Sequence, residues 1–244
     1  MKKTKFLLSL SLVLFVSFSS FSQNLNSLKK ALNEKISSGS TGDLTNNEVV
    51  SGLKEALEVG AEKAVSLASK EGGFSANELI RIPFPEEAES AKELALKVGM
   101  DAQVEQFEAT MNEAAEKASA EAVEILKNAI LGMSVQDGFD ILNGGDTAAT
   151  HFLRKSTYNQ LFEKFSPIVE SSLSAVDVTK YWNPIINTYN KNPFKKEAID
   201  PDLQSYVTNK ALDGLFTLIK EEEKEIRENP QARVTDLLKK VFGN

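Results

Sequence analysis

The chain of 244 residues has no cysteine, one histidine and one tryptophan. Without cysteine there is no disulfide, no thiol nucleophile, no Cys-ligated zinc and no lipidated cysteine to anchor a bacterial lipoprotein. A lone histidine, His151, removes paired-histidine metal sites and the Glu-x-x-His repeats of di-iron bundles. The fold must stand on packing, and neither metal nor other cofactor is expected. Basic residues are also short: 28 Lys and Arg stand against 35 Asp and Glu, a net charge of −7. Nucleic-acid binding needs cations that replace counterions along the phosphates, so no nucleic-acid partner is expected. Long apolar runs are missing beyond Phe6 to Phe18, which is shorter than the ~20 residues of a membrane helix. Runs of alternating β-branched residues are missing as well, which leaves no sheet and an all-α class.

What the chain does have begins at its first residues. Lys2, Lys3 and Lys5 precede the apolar run, and Ser20-Phe21-Ser22 supplies small residues at −3 and −1. This is the pattern of a secretory signal peptide over residues 1–22, cleaved before Gln23. Export to a bacterial periplasm follows, as a soluble protein with no transmembrane segment after cleavage. Losing three lysines takes the net charge from −7 to −10. Residues 23–47 read as a short amphipathic helix, with Leu25, Leu28, Leu32 and Ile36 at spacings of three and four, followed by a flexible polar linker from Ser37 to Asn47. Residues 48–244 read as a single helical domain, bundle-like or orthogonal.

Within that domain a Thr45-x-x-Glu48 capping box predicts a long helix to about Lys70, stopped by Gly72-Gly73. Phe74 to Pro85 is expected to be a loop carrying large apolar side chains, since the residue before each proline is pushed to extended geometry. Pro85 fits the first position of a helix reaching Val98, and Asp101 fits the cap of the next, which carries Phe107, Met111, Ala114 and Ala118. An alanine-rich stretch marks a break before Val123 to Leu131. Ser134-x-x-Asp137 opens a short helix, Gly144-Gly145 is expected to close it with a left-handed residue, and Asp146 to cap its successor. That successor runs to Val176 with an interruption near Pro167. Asp177 opens another helix through Tyr189, and Asp200-Pro201 caps a long one ending before Asn229-Pro230, placed at the centre of the core. Arg233 to Phe242 makes a final amphipathic helix.

Gly52 to Leu57, Arg81 to Pro85, Met133-Ser134-Val135, Leu142 to Thr150 and most of Val207 to Gly243 together resemble a family of exported bacterial proteins, the domain of unknown function 4197. The resemblance covers nearly all of the chain after the signal. It implies one integral helical domain and export, and it implies no activity, substrate or catalytic residue.

Five side chains are candidates for a binding site: Arg81, Phe84, Asp146, His151 and Trp182. Arg81 is the one charge in an apolar loop, suited to a buried carboxylate or to an anionic ligand at a pocket mouth. Trp182, among asparagines, suits either a sugar or peptide platform or the core. His151 with Asp146 and a distant serine could form a hydrolase triad, though no Gly-x-Ser-x-Gly elbow supports it, and paired carboxylates for glycoside hydrolysis are not selected by any spacing. Asp137, Asp140 and Asp146 could surround calcium, but their spacing is not that of an EF-hand and caps explain them. Lys220 to Arg227 reads as a solvated charged face. The sequence thus points to a monomeric, non-enzymatic binding or interaction protein of the cell envelope. Its expected groove, covered by the Phe74 to Pro85 loop, would accept an apolar or amphiphilic small molecule, or a helix of an envelope protein. A periplasmic hydrolase and a structural interaction module are the alternatives.

Overall fold

The computed structural model describes residues 45–175, 178–193 and 202–229. The signal sequence, the Leu25 to Ile36 segment, Asp177, Asp200-Pro201 and Arg233 to Phe242 lie outside the described residues. Those described form eight α-helices and no strand: α1 (Asn46–Ser69), α2 (Glu89–Lys97), α3 (Asp101–Ser119), α4 (Ala122–Leu131), α5 (Val135–Asn143), α6 (Ala148–Ala175), α7 (Val178–Asn190) and α8 (Leu203–Glu228). A 3-10 turn, Glu86–Ala88, leads into α2. The all-α expectation holds. None of these helices is long and apolar enough to cross a membrane.

Local side-chain caps set the starts of α1, α5 and α8. Thr45 Oγ1 accepts from the Glu48 amide while the Glu48 carboxylate accepts from the Thr45 amide at 2.7 Å, a complete capping box on α1. Ser134 and Asp137 repeat it on α5. Three expected caps differ. Met100, not Asp101, precedes α3 and offers no side-chain bond. Asp202 caps α8 by accepting from the Ser205 amide at 3.0 Å, one turn's worth of carboxylate placed two residues after the predicted Asp200. Gly144 closes α5 at φ −75°, extended and not left-handed, and its lack of a side chain serves close approach instead, since a Cβ there would lie 2.5 Å from the Ala148 Cβ. Pro167 does not interrupt α6, which runs unbroken from Ala148 to Ala175 because tertiary packing on both flanks holds it.

The helix expected at the centre is there: α8 packs against α1, α3 and α6. Val207, Ala211, Leu212, Leu215 and Phe216 are buried along it. α3 meets α6 and α8 through alanines, Ala114, Ala115 and Ala118, whose small side chains let backbones approach. α7 covers α2 and α3, while α4 and α5 close the other flank against α1 and α6.

The Phe74 to Pro85 loop is not a cover over a groove; it is part of the core. Phe74, Ile80, Ile82 and Phe84 are all buried, and only Leu79 among its large apolar residues faces solvent. Gly72 turns the chain at φ +74°, and at Gly73 any Cβ would meet the Leu67 and Ala68 carbonyl oxygens at 2.5 Å. Phe74 then inserts against α8 at Gly214, where a Cβ would lie 2.6 Å from its ring. Gly214→Ala should therefore overpack the core and cost about 1–3 kcal/mol, read as a lowered midpoint in equilibrium denaturation with an unchanged m-value. An unshifted midpoint would mean that Phe74 has room to move.

Candidate functional site

Glu108, Asn112 and Glu116 recur every fourth residue on α3, so they line one face, and that face meets the loop. Glu116 Oε1 accepts from the amides of Phe74 at 3.0 Å and Ser75 at 3.3 Å, and Oε2 accepts from the Gly72 amide at 3.3 Å. Asn112 reads Ile82 on both sides: its Oδ1 accepts from the Ile82 amide at 2.8 Å and its Nδ2 donates to the Ile82 carbonyl at 3.0 Å. Backbone that forms no helix or sheet is thereby satisfied inside the protein, as buried amides and carbonyls must be.

Arg81 and Lys92 both reach Glu108, at 2.6 and 2.9 Å. Of the two expected partners for Arg81, the buried carboxylate is the one found. Phe84 and Trp182 are brought together: their ring centroids lie 5.7 Å apart, with Phe107 stacked on Trp182 at 4.7 Å and beside Phe84 at 4.9 Å. The Lys92 ammonium sits 5.5 Å from the Phe84 centroid. Phe84 and Trp182 are buried, so their faces are occupied by one another. Above them Tyr206 donates to the Pro83 carbonyl at 3.1 Å. Burial, then Glu87, Glu86 and Glu108, push its phenol up to about 12.

Asp146 and His151 do not join this cluster. Asp146 lies in the α5–α6 turn and His151 in the first turn of α6, both exposed, and among the described residues neither side chain makes a hydrogen bond or ion pair that would build a triad. The expected cap function of Asp146 is carried out by Glu223 of α8. Its carboxylate accepts from the Ala149 amide at 3.0 Å, the Thr150 amide at 2.8 Å and the Thr150 hydroxyl at 2.7 Å, placing negative charge at the positive end of α6. Arg227 neutralises it at 2.7 Å and also donates to the Ile141 carbonyl at 3.1 Å, near the end of α5. The side chains of this pair are 8% and 4% exposed, which corrects the solvated reading of Lys220 to Arg227. The reason is position: Glu223 and Arg227 lie on the inner side of α8, where one carboxylate and one guanidinium complete the ends of two other helices. A cavity of about 20 Å³ beside Leu53, Leu57, Leu142 and Glu223 is on the scale of one water molecule.

A larger concavity lies elsewhere. Between the start of α4 and the middle of α6 an open cleft of about 470 Å³ is lined by Val123 and Ile125 and edged by Glu124, Asn128, Gln160 and Glu163. The Lys164–Glu121 ion pair, 3.2 Å, joins its two walls. No sequence motif marked it, since its residues come from two helices and are individually ordinary surface types. Glu108, Asn112 and Glu116 also escaped sequence reading, and Glu223 was read only as part of a solvated face. Their signal was there: polar residues recurring at four on otherwise apolar helix faces.

With this geometry established, comparison adds one relationship. The family model described as a protein of unknown function, DUF4197, matches residues 43–243, and the chain belongs to that family. No curated protein and no solved structure matches it.

The Tyr206 phenol carries the pH dependence of this region. Its folded pKa lies above the ordinary value of about 10, so the neutral phenol contributes stability that is present below pH ~10 and is lost as pH rises through about 12. Absorbance titration of the phenolates should show a step near pH 12 that disappears in Tyr206→Phe. Titration of all four tyrosines together near pH 10 would contradict the half-buried, hydrogen-bonded placement of Tyr206.

Proposed function

For this member of the family we propose an exported, non-enzymatic binding protein of the cell envelope, working as a pre-packed helical scaffold that engages an amphiphilic ligand or a partner's helix at the α4–α6 cleft. The observation that carries the reading is the cleft itself: about 470 Å³ of open concave space with Val123 and Ile125 for apolar contact and Glu124, Asn128, Gln160 and Glu163 for polar contact. The lining is mainly polar and charged with a small apolar part, which suits an amphiphilic occupant held largely by polar contacts. Beneath the Phe74 to Pro85 loop the buried Phe74, Ile80, Ile82 and Phe84 side chains occupy the space. Binding is accordingly assigned to the outer surface. Export rests on the charged, apolar and small-residue pattern of residues 1–22.

The hydrolase reading gains no support, since it needs His151 within reach of a carboxylate and a hydroxyl, and His151 is exposed with neither among the described residues. Native mass spectrometry of the protein isolated from its host envelope tests the proposal. A defined small adduct or a stoichiometric protein partner is expected with the wild type, and its occupancy should fall at least tenfold in Val123→Glu/Gln160→Ala. A clean unbound mass, or a bound species indifferent to those substitutions, would refute the assignment of the cleft.

A further inference from the structure

The cleft between α4 and α6 carries a charge imbalance that narrows what it can hold. Its lining includes three carboxylates, Glu121, Glu124 and Glu163, and one cation, Lys164, so three negative charges against one positive leave −2. Lys164 is taken by Glu121 at 3.2 Å. Among the described residues Glu124 and Glu163 form no ion pair. Lys127, one turn along α4 from Glu124, is held by Glu58 of α1. Glu163 has no charged residue three or four positions away on α6. The positive end of α4, worth about half a charge, offsets part of the charge of Glu121 and Glu124. Glu163 stands in the middle of α6, where its own helix supplies no such charge.

Size separates the possible occupants. One helical turn with its side chains, about 10 Å across and about 5.4 Å long, fills roughly 420 Å³, and the cleft offers about 470 Å³. Helices that dock in grooves use anchors spread over two turns or more, whereas a small amphiphile needs only a volume of this order. We propose that the cleft binds a small amphiphilic cation, a protonated amine or guanidinium on a short apolar tail. Glu124 and Glu163 receive the head, the side-chain carbonyls of Asn128 and Gln160 accept from its remaining N–H donors, and Val123 and Ile125 meet the tail. An anion of the same shape meets two carboxylates without counter-charge and is disfavoured. The inference rests on the assignment of binding to this cleft and adds the charge of the ligand. Because the rim is exposed, the attraction is modest and weakens with salt.

Calorimetric titration of the protein purified from its host with octylammonium, and separately with octanoate, tests this. Glu124→Gln/Glu163→Gln removes the two free charges, Lys164→Gln releases Glu121, and Gln160→Trp fills the cleft; all four positions are exposed, so the fold is retained. Octylammonium should bind about tenfold more weakly in the double variant and about two- to fivefold more tightly in Lys164→Gln. Binding should be lost in Gln160→Trp, and octanoate should bind about tenfold more weakly than octylammonium to the wild type. Octanoate binding as well as octylammonium, with both lost in Gln160→Trp, would overturn the charge assignment and keep the cleft as a binding site. Octylammonium binding unmoved by the glutamine substitutions, or no binding of octylammonium, would overturn it as well. Binding of both amphiphiles indifferent to Gln160→Trp would overturn the cleft assignment and this inference together.

Discussion

The structure depends on three polar side chains of one helix. Asn112 and Glu116 of α3 hold the loop between α1 and α2 by its backbone and Glu108 holds it by the Arg81 side chain, and together they place Phe74, Ile82 and Phe84 in the core. Irregular chain inside a protein carries amides and carbonyls that water cannot reach, each costing about 1–3 kcal/mol if left unpaired. A loop with that liability enters a helical core only where another element presents matching acceptors and donors. α3 presents them at a four-residue repeat, so the loop's register is fixed at Gly72, Phe74 and Ile82 together. Gly73 and Gly214 supply the remaining condition, close approach without a side chain in the way.

The same solution appears at the opposite side of α8. Glu223 completes the start of α6 and Arg227 the end of α5, so a single ion pair from one helix terminates two others. Burying such a pair carries a desolvation cost that Coulomb attraction alone does not reliably offset. Here the carboxylate accepts three hydrogen bonds besides the ion pair, and the pair fixes the angle of the α5–α6 turn. A fold without disulfides is thus located by buried polar contacts while alanine and leucine faces provide the bulk of the apolar burial.

Much of the helical framework was legible in the sequence because helix starts are local. The Thr45–Glu48 and Ser134–Asp137 boxes act over three residues, and the burial of α8 follows from an apolar stripe broad enough to meet neighbours on several sides. What was not legible depends on partners far along the chain. Asp146 has the composition of a cap, yet Glu223, more than seventy positions away, occupies the site (|i−j| of 74 to Ala149). Arg81 and Phe84 were recognisable as unusual residues in an apolar loop, but whether the loop covered a groove or filled the core turned on Asn112 and Glu116, whose loop partners lie some 30 to 40 positions away. The α4–α6 cleft gave no sequence signal, since a concavity formed by two helices is a property of their spacing.

A scaffold whose loop fills its core leaves its exterior for contact, which is why the α4–α6 cleft becomes the surface of interest. Everything inside rests on the α3 clamp, and the most direct test is equilibrium unfolding of Asn112→Ala. The substitution removes no apolar contact of consequence but strands both the amide and the carbonyl of Ile82. The account predicts a loss of about 3 kcal/mol, in a transition that remains cooperative. A loss below about 0.5 kcal/mol, the level of an ordinary surface change, would show that the loop stays in the core without α3 holding it, and the central claim would fail.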